Sequence, residues 1–165
     1  MSAKGVVINA SVALKWRLRD EEATHQADTL LDDYLAGALE LLTPTLFDYE
    51  IANALKVAVD RGRMTETEAM VAMADFQQLG IERHDFRAMQ SVAFQLALQH
   101  RRSAYDAAYL ALARLKEIWF YTGDRRLFNA VGKALPWVKW IGDYRFESIP
   151  VAATPESQEG ASPHE

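Results

Sequence analysis

Cysteine is missing from this 165-residue chain. Disulfides and thiolate metal sites are therefore excluded, and any bound metal would need oxygen or imidazole ligands. Long hydrophobic runs are missing too: the longest apolar stretches, such as AAYLALA, fall far short of the ~20 residues that span a bilayer. The N-terminus carries Lys4 but no apolar core of signal-peptide length, so no targeting segment is read there. These absences predict a cytoplasmic protein with no membrane association. There is no Gly-rich phosphate loop and no GxSxG elbow, which leaves nucleotide-cofactor and serine-hydrolase chemistry without support. The four histidines, His25, His84, His100 and His164, show no HxxxH or HxH spacing and read as surface or loop residues.

What remains is an ordinary globular composition, half hydrophobic and a quarter charged, of a length that buries one core. The net charge of −5 argues against a generally basic nucleic-acid binder, but it is partly an effect of the tail. Setting aside Glu156, Glu159 and Glu165, with no Lys or Arg in 150–165, leaves residues 1–149 at −2. That tail is rich in Pro, Ser, Gly and Glu, and its composition predicts disorder. The expected organisation is one domain over 1–149 and a disordered tail over 150–165.

Short β-like runs alternate with helical ones, the pattern of a parallel sheet covered on both faces. Strands are predicted near 5–9, 40–43, 80–83, 118–122 and 137–141. Helices are predicted near 11–18, 20–36, 46–61, 65–78, 86–101, 104–116 and 125–134. Gly62 and Gly80 read as helix ends. Right-handed crossovers would set the carboxyl ends of the strands on one rim.

Polar residues at that rim attract interest. In GVVINASVALKW, from Gly5 to Trp16, Asn9 closes the first strand where open α/β sheets bind ligands. In TPTLFDYEIANALK, Thr45 and Asp48 form a capping-box-like pair, so Asp48 reads as structural. Glu50 instead falls inside the apolar stripe of Leu46, Phe47, Ile51, Ala54 and Leu55, and a buried carboxylate is costly unless paired or metal-bound. In RRSAYDAAYLALARLK, Ser103 can cap and Asp106 suits the helix dipole. The helix they open is apolar on nearly every side, which predicts that Asp106 is drawn in with it. In YTGDRRLFNAV, Asp124 follows a strand end and reads as a cap. Caps explain each acid separately but not why all should point at one rim. Convergent carboxylates repel each other, and a divalent cation is the usual remedy.

These four segments, in this order and spacing, make the chain resemble the PIN-domain proteins, specifically the VapC-type ribonuclease toxins of prokaryotic toxin–antitoxin pairs. The resemblance spans roughly residues 5–142. It implies a three-layer α/β/α sandwich with a five-stranded parallel sheet, and a Mg2+- or Mn2+-dependent endoribonuclease. It also implies a homodimer inhibited by a cognate antitoxin. The family's acidic cluster maps onto Asn9, Glu50, Asp106 and Asp124 as catalytic and metal-holding positions, with Ser11 and Thr122 as supporting hydroxyls. The first acid is normally Asp. Asn9 therefore neutralises one corner of the site, and reduced or abolished activity is expected. Because the other three acids survive, Asn9 reads as a single Asp→Asn change rather than drift.

Basic residues bordering the acids, Lys15, Arg17, Arg101, Arg102, Arg125 and Arg126, are the candidate RNA contacts. Trp16 and the second-helix face of Ala27, Leu30, Leu31 and Tyr34 offer a surface for a partner helix. Two other readings compete with the nuclease. One is a catalytically degenerate PIN domain that binds RNA or antitoxin. The other is a receiver-like domain, which also gathers acids at strand ends.

Overall fold

The computed structural model describes residues 4–151. Five strands form one sheet: β1 (Lys4–Ile8), β2 (Leu39–Pro44), β3 (Glu82–His84), β4 (Trp119–Thr122) and β5 (Val138–Trp140). Their order is β3-β2-β1-β4-β5, and every neighbouring pair is parallel. The central strand β1 shows why. Val6, Val7 and Ile8 are fully buried, as a strand covered on both faces requires.

Two hydrophobic clusters occupy the two faces. Val6, Ile8, Leu41 and Tyr121 point into one, while their strand neighbours Val7, Leu42 and Phe120 point into the other, following the period of two along a strand. Helices α1 (Ala10–Leu14), α2 (Thr24–Leu35), α3 (Leu46–Asp60) and α4 (Glu66–Gln78) cover the first face. Helices α5 (Gln90–His100), α6 (Ala104–Lys116) and α7 (Arg125–Val131) cover the second. The result is the expected three-layer α/β/α sandwich. Among the described residues no helix is long and apolar enough to cross a membrane.

The connections locate the site. The chain steps outward from β1 to β2 to β3, then returns to the far side of β1 to lay down β4 and β5. The direction of winding reverses between β1 and β4, and the crevice outside the carboxyl ends at such a reversal is where open α/β sheets bind ligands. A receiver-like domain would follow the order 2-1-3-4-5, so this order excludes that reading.

Several expected boundaries move. The first helix ends at Leu14 rather than 18. The second begins at Thr24 rather than 20, because Ala23 takes a left-handed conformation (φ 58°) that a helix cannot continue through. The third strand lies at 82–84, after Gly80 (φ 65°) has ended α4. The segment from 86 opens as a 3-10 turn, Phe86–Met89, before α5 begins. The last helix stops at Val131. Gly62 (φ 70°) and Gly80 end α3 and α4 as expected. The predicted tail lies, apart from Pro150 and Val151, outside the described residues, as does His164. His84 is no loop residue: it sits half-buried in β3, with its ring 2.9 Å from the Glu82 carboxylate.

Candidate active site at the switch point of the sheet

Asn9 follows the last residue of β1 and is buried, with 7% of its surface exposed. Its amide is tied down at both ends. Oδ1 accepts from the Ser11 hydroxyl at 2.5 Å, and Nδ2 donates to Thr122 Oγ1 at 3.0 Å, across the β1–β4 reversal. Each hydroxyl in turn accepts a backbone N–H of the next turn: Ser11 Oγ from Gly123 at 2.9 Å, and Thr122 Oγ1 from Asp124 at 3.0 Å. Ser11 and Thr122 therefore couple residue 9 to the turn that carries Asp124.

Gly123 is required there by space. A Cβ at this position would sit 2.6 Å from Lys15 Cε and 2.7 Å from the Ser11 carbonyl oxygen. Asp124 caps α7, its Oδ1 accepting from the N–H groups of Arg126 (2.9 Å) and Leu127 (3.2 Å). Asp124 also lines the open cleft beside the turn.

Glu50 lies in the second turn of α3, just beyond the end of β2. The stripe reading holds for its backbone position, since Phe47, Ile51 and Leu55 are buried. Its head finds no arginine. Oε1 accepts a 2.5 Å hydrogen bond from the hydroxyl of Tyr109 on α6. Burial pushes the Glu50 carboxyl above its ordinary value; the Tyr109 hydrogen bond opposes this and the Asp106 charge adds to it. Asp106 stands in the first turn of α6, its own N–H capped by Ser103 Oγ at 3.0 Å. Burial raises its carboxyl also, against the pull of the Arg102 guanidinium and with the push of Asp124.

The acids thus form an electrostatic chain, Glu50 to Asp106 to Asp124, on the rim next to Asn9. Among the described residues, however, no three His, Cys, Asp or Glu side chains are grouped closely enough to hold one metal ion among them. The donors fit a hard cation nonetheless. All are oxygens, two of the carboxyls are raised by burial and by the charge of a neighbouring acid, and Mg2+ needs only one or two carboxylates, with waters completing its shell.

Asp48, by contrast, is structural: it pairs with Arg83 at 2.9 Å. The capping box expected at Thr45 does not form, because Thr45 is already helical (φ −57°, ψ −23°) and makes no side-chain cap. The capping box in this region is at Thr65 and Glu68, on α4.

The six basic candidates divide. Lys15 is 2% exposed. Its stem crosses Gly123, its ammonium lies 5.6 Å from the centre of the Trp140 ring, and burial lowers its basicity despite Glu21 and Glu22 nearby. A side chain so enclosed is a structural strut in this conformation rather than an open phosphate contact. Arg17 pairs with Asp75. Arg125 pairs with Glu22 at 3.0 Å and stacks 4.2 Å from the centre of the Trp140 ring. Arg102 is half-buried. Arg101, held in the left-handed region (φ 52°), and Arg126 are exposed. Together Ser11, Lys15, Glu21, Glu22, Gly123, Asp124, Arg125 and Arg126 line an open cleft of about 450 Å³ beside the acids. A larger pocket, lined by Gly5, Ile118, Trp119 and Trp137, lies at the amino ends of β1 and β4, far from this chemistry.

The partner groove expected on α2 is largely closed. Ala27 and Leu30 are fully buried core residues. Trp16 donates to the Ala27 carbonyl at 2.8 Å and Tyr34 to the Leu79 carbonyl at 2.6 Å.

Comparison with known proteins agrees with this fold. A family model described as PIN domain matches residues 6–134. Ribonuclease VapC3 of Pyrobaculum aerophilum is 35% identical over 65% of this chain and 80% of its own length. VapC ribonuclease Mb0985 of Mycobacterium bovis is 30% identical over 74% of this chain and 87% of its own. In fold, the crystal structure of PAE2754 from Pyrobaculum aerophilum superposes with a TM-score of 0.62, at 19% identity, over 84% of this chain and 92% of that one. The sheet order, the rim of acids and these likenesses lead to one conclusion: the chain belongs to the PIN-domain family, as a VapC-type toxin.

Proposed function

We propose that this chain is a divalent-metal-dependent endoribonuclease, the toxin of a toxin–antitoxin pair, working at low activity because position 9 is Asn. The observation that carries the reading is the row of acids at the rim: the Asp106 charge bears on Glu50 and the Asp124 charge on Asp106, beside a residue-9 amide locked into the turn that carries Asp124. One or two of Glu50, Asp106 and Asp124, with waters completing the shell, would hold Mg2+ or Mn2+. Such an ion, when bound, supplies activation of water and neutralisation of charge on a phosphoryl oxygen.

The chain's own residues do the rest. Asn9, Ser11 and Thr122 fix the turn that presents Asp124. Ser103 fixes the first turn of α6, which presents Asp106. The exposed Arg101 and Arg126 stand ready for RNA phosphates, the class of contact that positions without reading sequence. An antitoxin would compete by placing a cationic side chain among the acids. The exposed Phe94, Leu98 and Tyr105, on α5 and α6, suit a second copy of the chain.

Asn keeps a neutral oxygen at position 9 and removes one negative charge. One unit-charge interaction at ~4 Å, with an effective dielectric of ~20, is worth about 4 kcal/mol before desolvation. Even a third of that corresponds to about a tenfold loss of ion affinity.

A second reading, a degenerate domain that binds RNA or antitoxin without cutting, is favoured by one observation. Both polar ends of the Asn9 amide are engaged within the protein. The Asn9→Asp chain separates the two. Under the nuclease reading it cleaves RNA at least tenfold faster than the Asn9 chain when Mg2+ or Mn2+ is supplied, and loses that gain with EDTA or with Asp106→Asn. If Asn9→Asp gains no metal-dependent cleavage, the binding-module reading stands instead.

A further inference from the structure

Tyr109 is a large polar side chain that the acid cluster alone does not account for. It sits on α6 one turn after Asp106 and is 2% exposed. Its ring stacks on Phe120 of β4, with centres 5.7 Å apart and planes at 12°. Burying a phenol inside the sandwich is costly unless its hydroxyl finds a partner. The partner is Glu50 Oε1, 59 residues away in sequence, at 2.5 Å. Beside the same hydroxyl lies Thr43 of β2, whose Oγ1 is fully buried and makes no well-formed hydrogen bond of its own. The phenol thus joins β2, α3, α6 and β4 at one point, and that point is a carboxylate oxygen of the candidate site.

Resting on the active-site reading above, we propose that Tyr109 is a positioning residue for Glu50. Its hydroxyl holds Oε1 and leaves Oε2 without that partner, so that Glu50 presents one oxygen in a fixed direction to a divalent cation. Arg83, on β3 beside the first turn of the same helix, does not compete for Glu50, being committed to Asp48. The rigidity of Tyr109 comes from its burial and its stack on Phe120. A carboxylate on a half-exposed helix face would otherwise sample several rotamers, and each non-productive one dilutes ion affinity. Partners of this kind behind metal-ligating groups typically contribute about 10–100-fold in affinity.

The test is a double-mutant cycle on Mn2+ affinity, measured by calorimetry or electron paramagnetic resonance on the metal-free protein. It uses the Asn9 chain, Tyr109→Phe, Glu50→Gln and the double variant. Tyr109→Phe keeps the stacked ring and removes only the hydroxyl. Expected are roughly tenfold weaker Mn2+ binding in Tyr109→Phe and no further loss when the same change is made on Glu50→Gln. Effects that simply add across the cycle, or a Tyr109→Phe chain that binds Mn2+ unchanged, would overturn the positioning role. A Glu50→Gln chain that binds Mn2+ as well as the parent would instead overturn the active-site reading itself.

Should Tyr109→Phe fail to fold, the parent chain labelled with 3-fluorotyrosine supplies the answer. Its Tyr109 19F resonance should move on saturation with Mg2+ and stay still in Glu50→Gln. A resonance indifferent to Mg2+ in the parent overturns the proposal.

Discussion

Asn9 and Lys15 show how far single residues can be read before their neighbours are known. The acids were legible because a carboxylate on an apolar stripe, or just past a strand, is costly without a partner. Tyr109 was not, since within AAYLALA it reads as one more buried apolar residue, and its partner Glu50 lies on another helix. Lys15 misled in the opposite sense. A lysine near a nucleic-acid site suggests solvent, but its stem fills the space above Gly123. In Gly123→Ala the Lys15 tip could yield, but the Ser11 backbone, 2.7 Å from the new Cβ, could not do so without moving the turn. A loss of about 1–3 kcal/mol is expected, read as a drop of several degrees in melting temperature; an unchanged melting curve would mean the turn has slack. The raised carboxyls of Glu50 and Asp106 set a pH dependence. Folded, they hold protons at pH values where the unfolded chain has released them. Their contribution in metal-free buffer is therefore full below the ordinary carboxyl pKa, about 4, and is lost as pH rises through the raised folded values. Glu50→Gln should flatten that fall relative to the parent in thermal melts run from about pH 4 upward, and parallel curves for the two would show that burial does not disfavour the ionised Glu50.

At the scale of elements, order and type were readable from periodicity, whereas boundaries depended on local geometry. Nothing in the letters around Ala23 announces a left-handed residue, yet that residue decides where α2 begins. The cap of α6 was readable, and it does more than start a helix. Ser103 accepts the N–H of Asp106 itself, so the same bond that begins α6 fixes the backbone of a site residue. Ser103→Ala should cost about 1 kcal/mol in denaturant unfolding and also weaken Mn2+ binding. A stability loss with unaltered metal affinity would mean that packing of the buried run Ala107–Ala113 alone places Asp106.

Across the whole molecule the charge is unevenly useful. The net value of −5 hides a local set of arginines beside the cleft, some committed to ion pairs and some exposed. Arg101→Ala and Arg126→Ala together should weaken RNA binding and shallow its dependence on salt, because every phosphate that is no longer neutralised takes about one counterion out of the slope. Arg125→Ala should do less unless Glu22 releases it on binding. If none of these changes alters affinity or slope, RNA takes another route across the surface. The order of the strands carries a further meaning, for the chain while it is being made. The crevice forms only when β4 docks against β1, a pairing sealed by a hydrogen bond between residues 113 apart, after β2 and β3 have been laid on the other side. A nascent chain therefore emerges with Asn9 and Glu50 long before Asp106 and Asp124. No fragment that stops short of Asp124 contains the candidate site, and a ribosome making this protein carries no assembled crevice beside its own message until β4 and the turn after it have emerged.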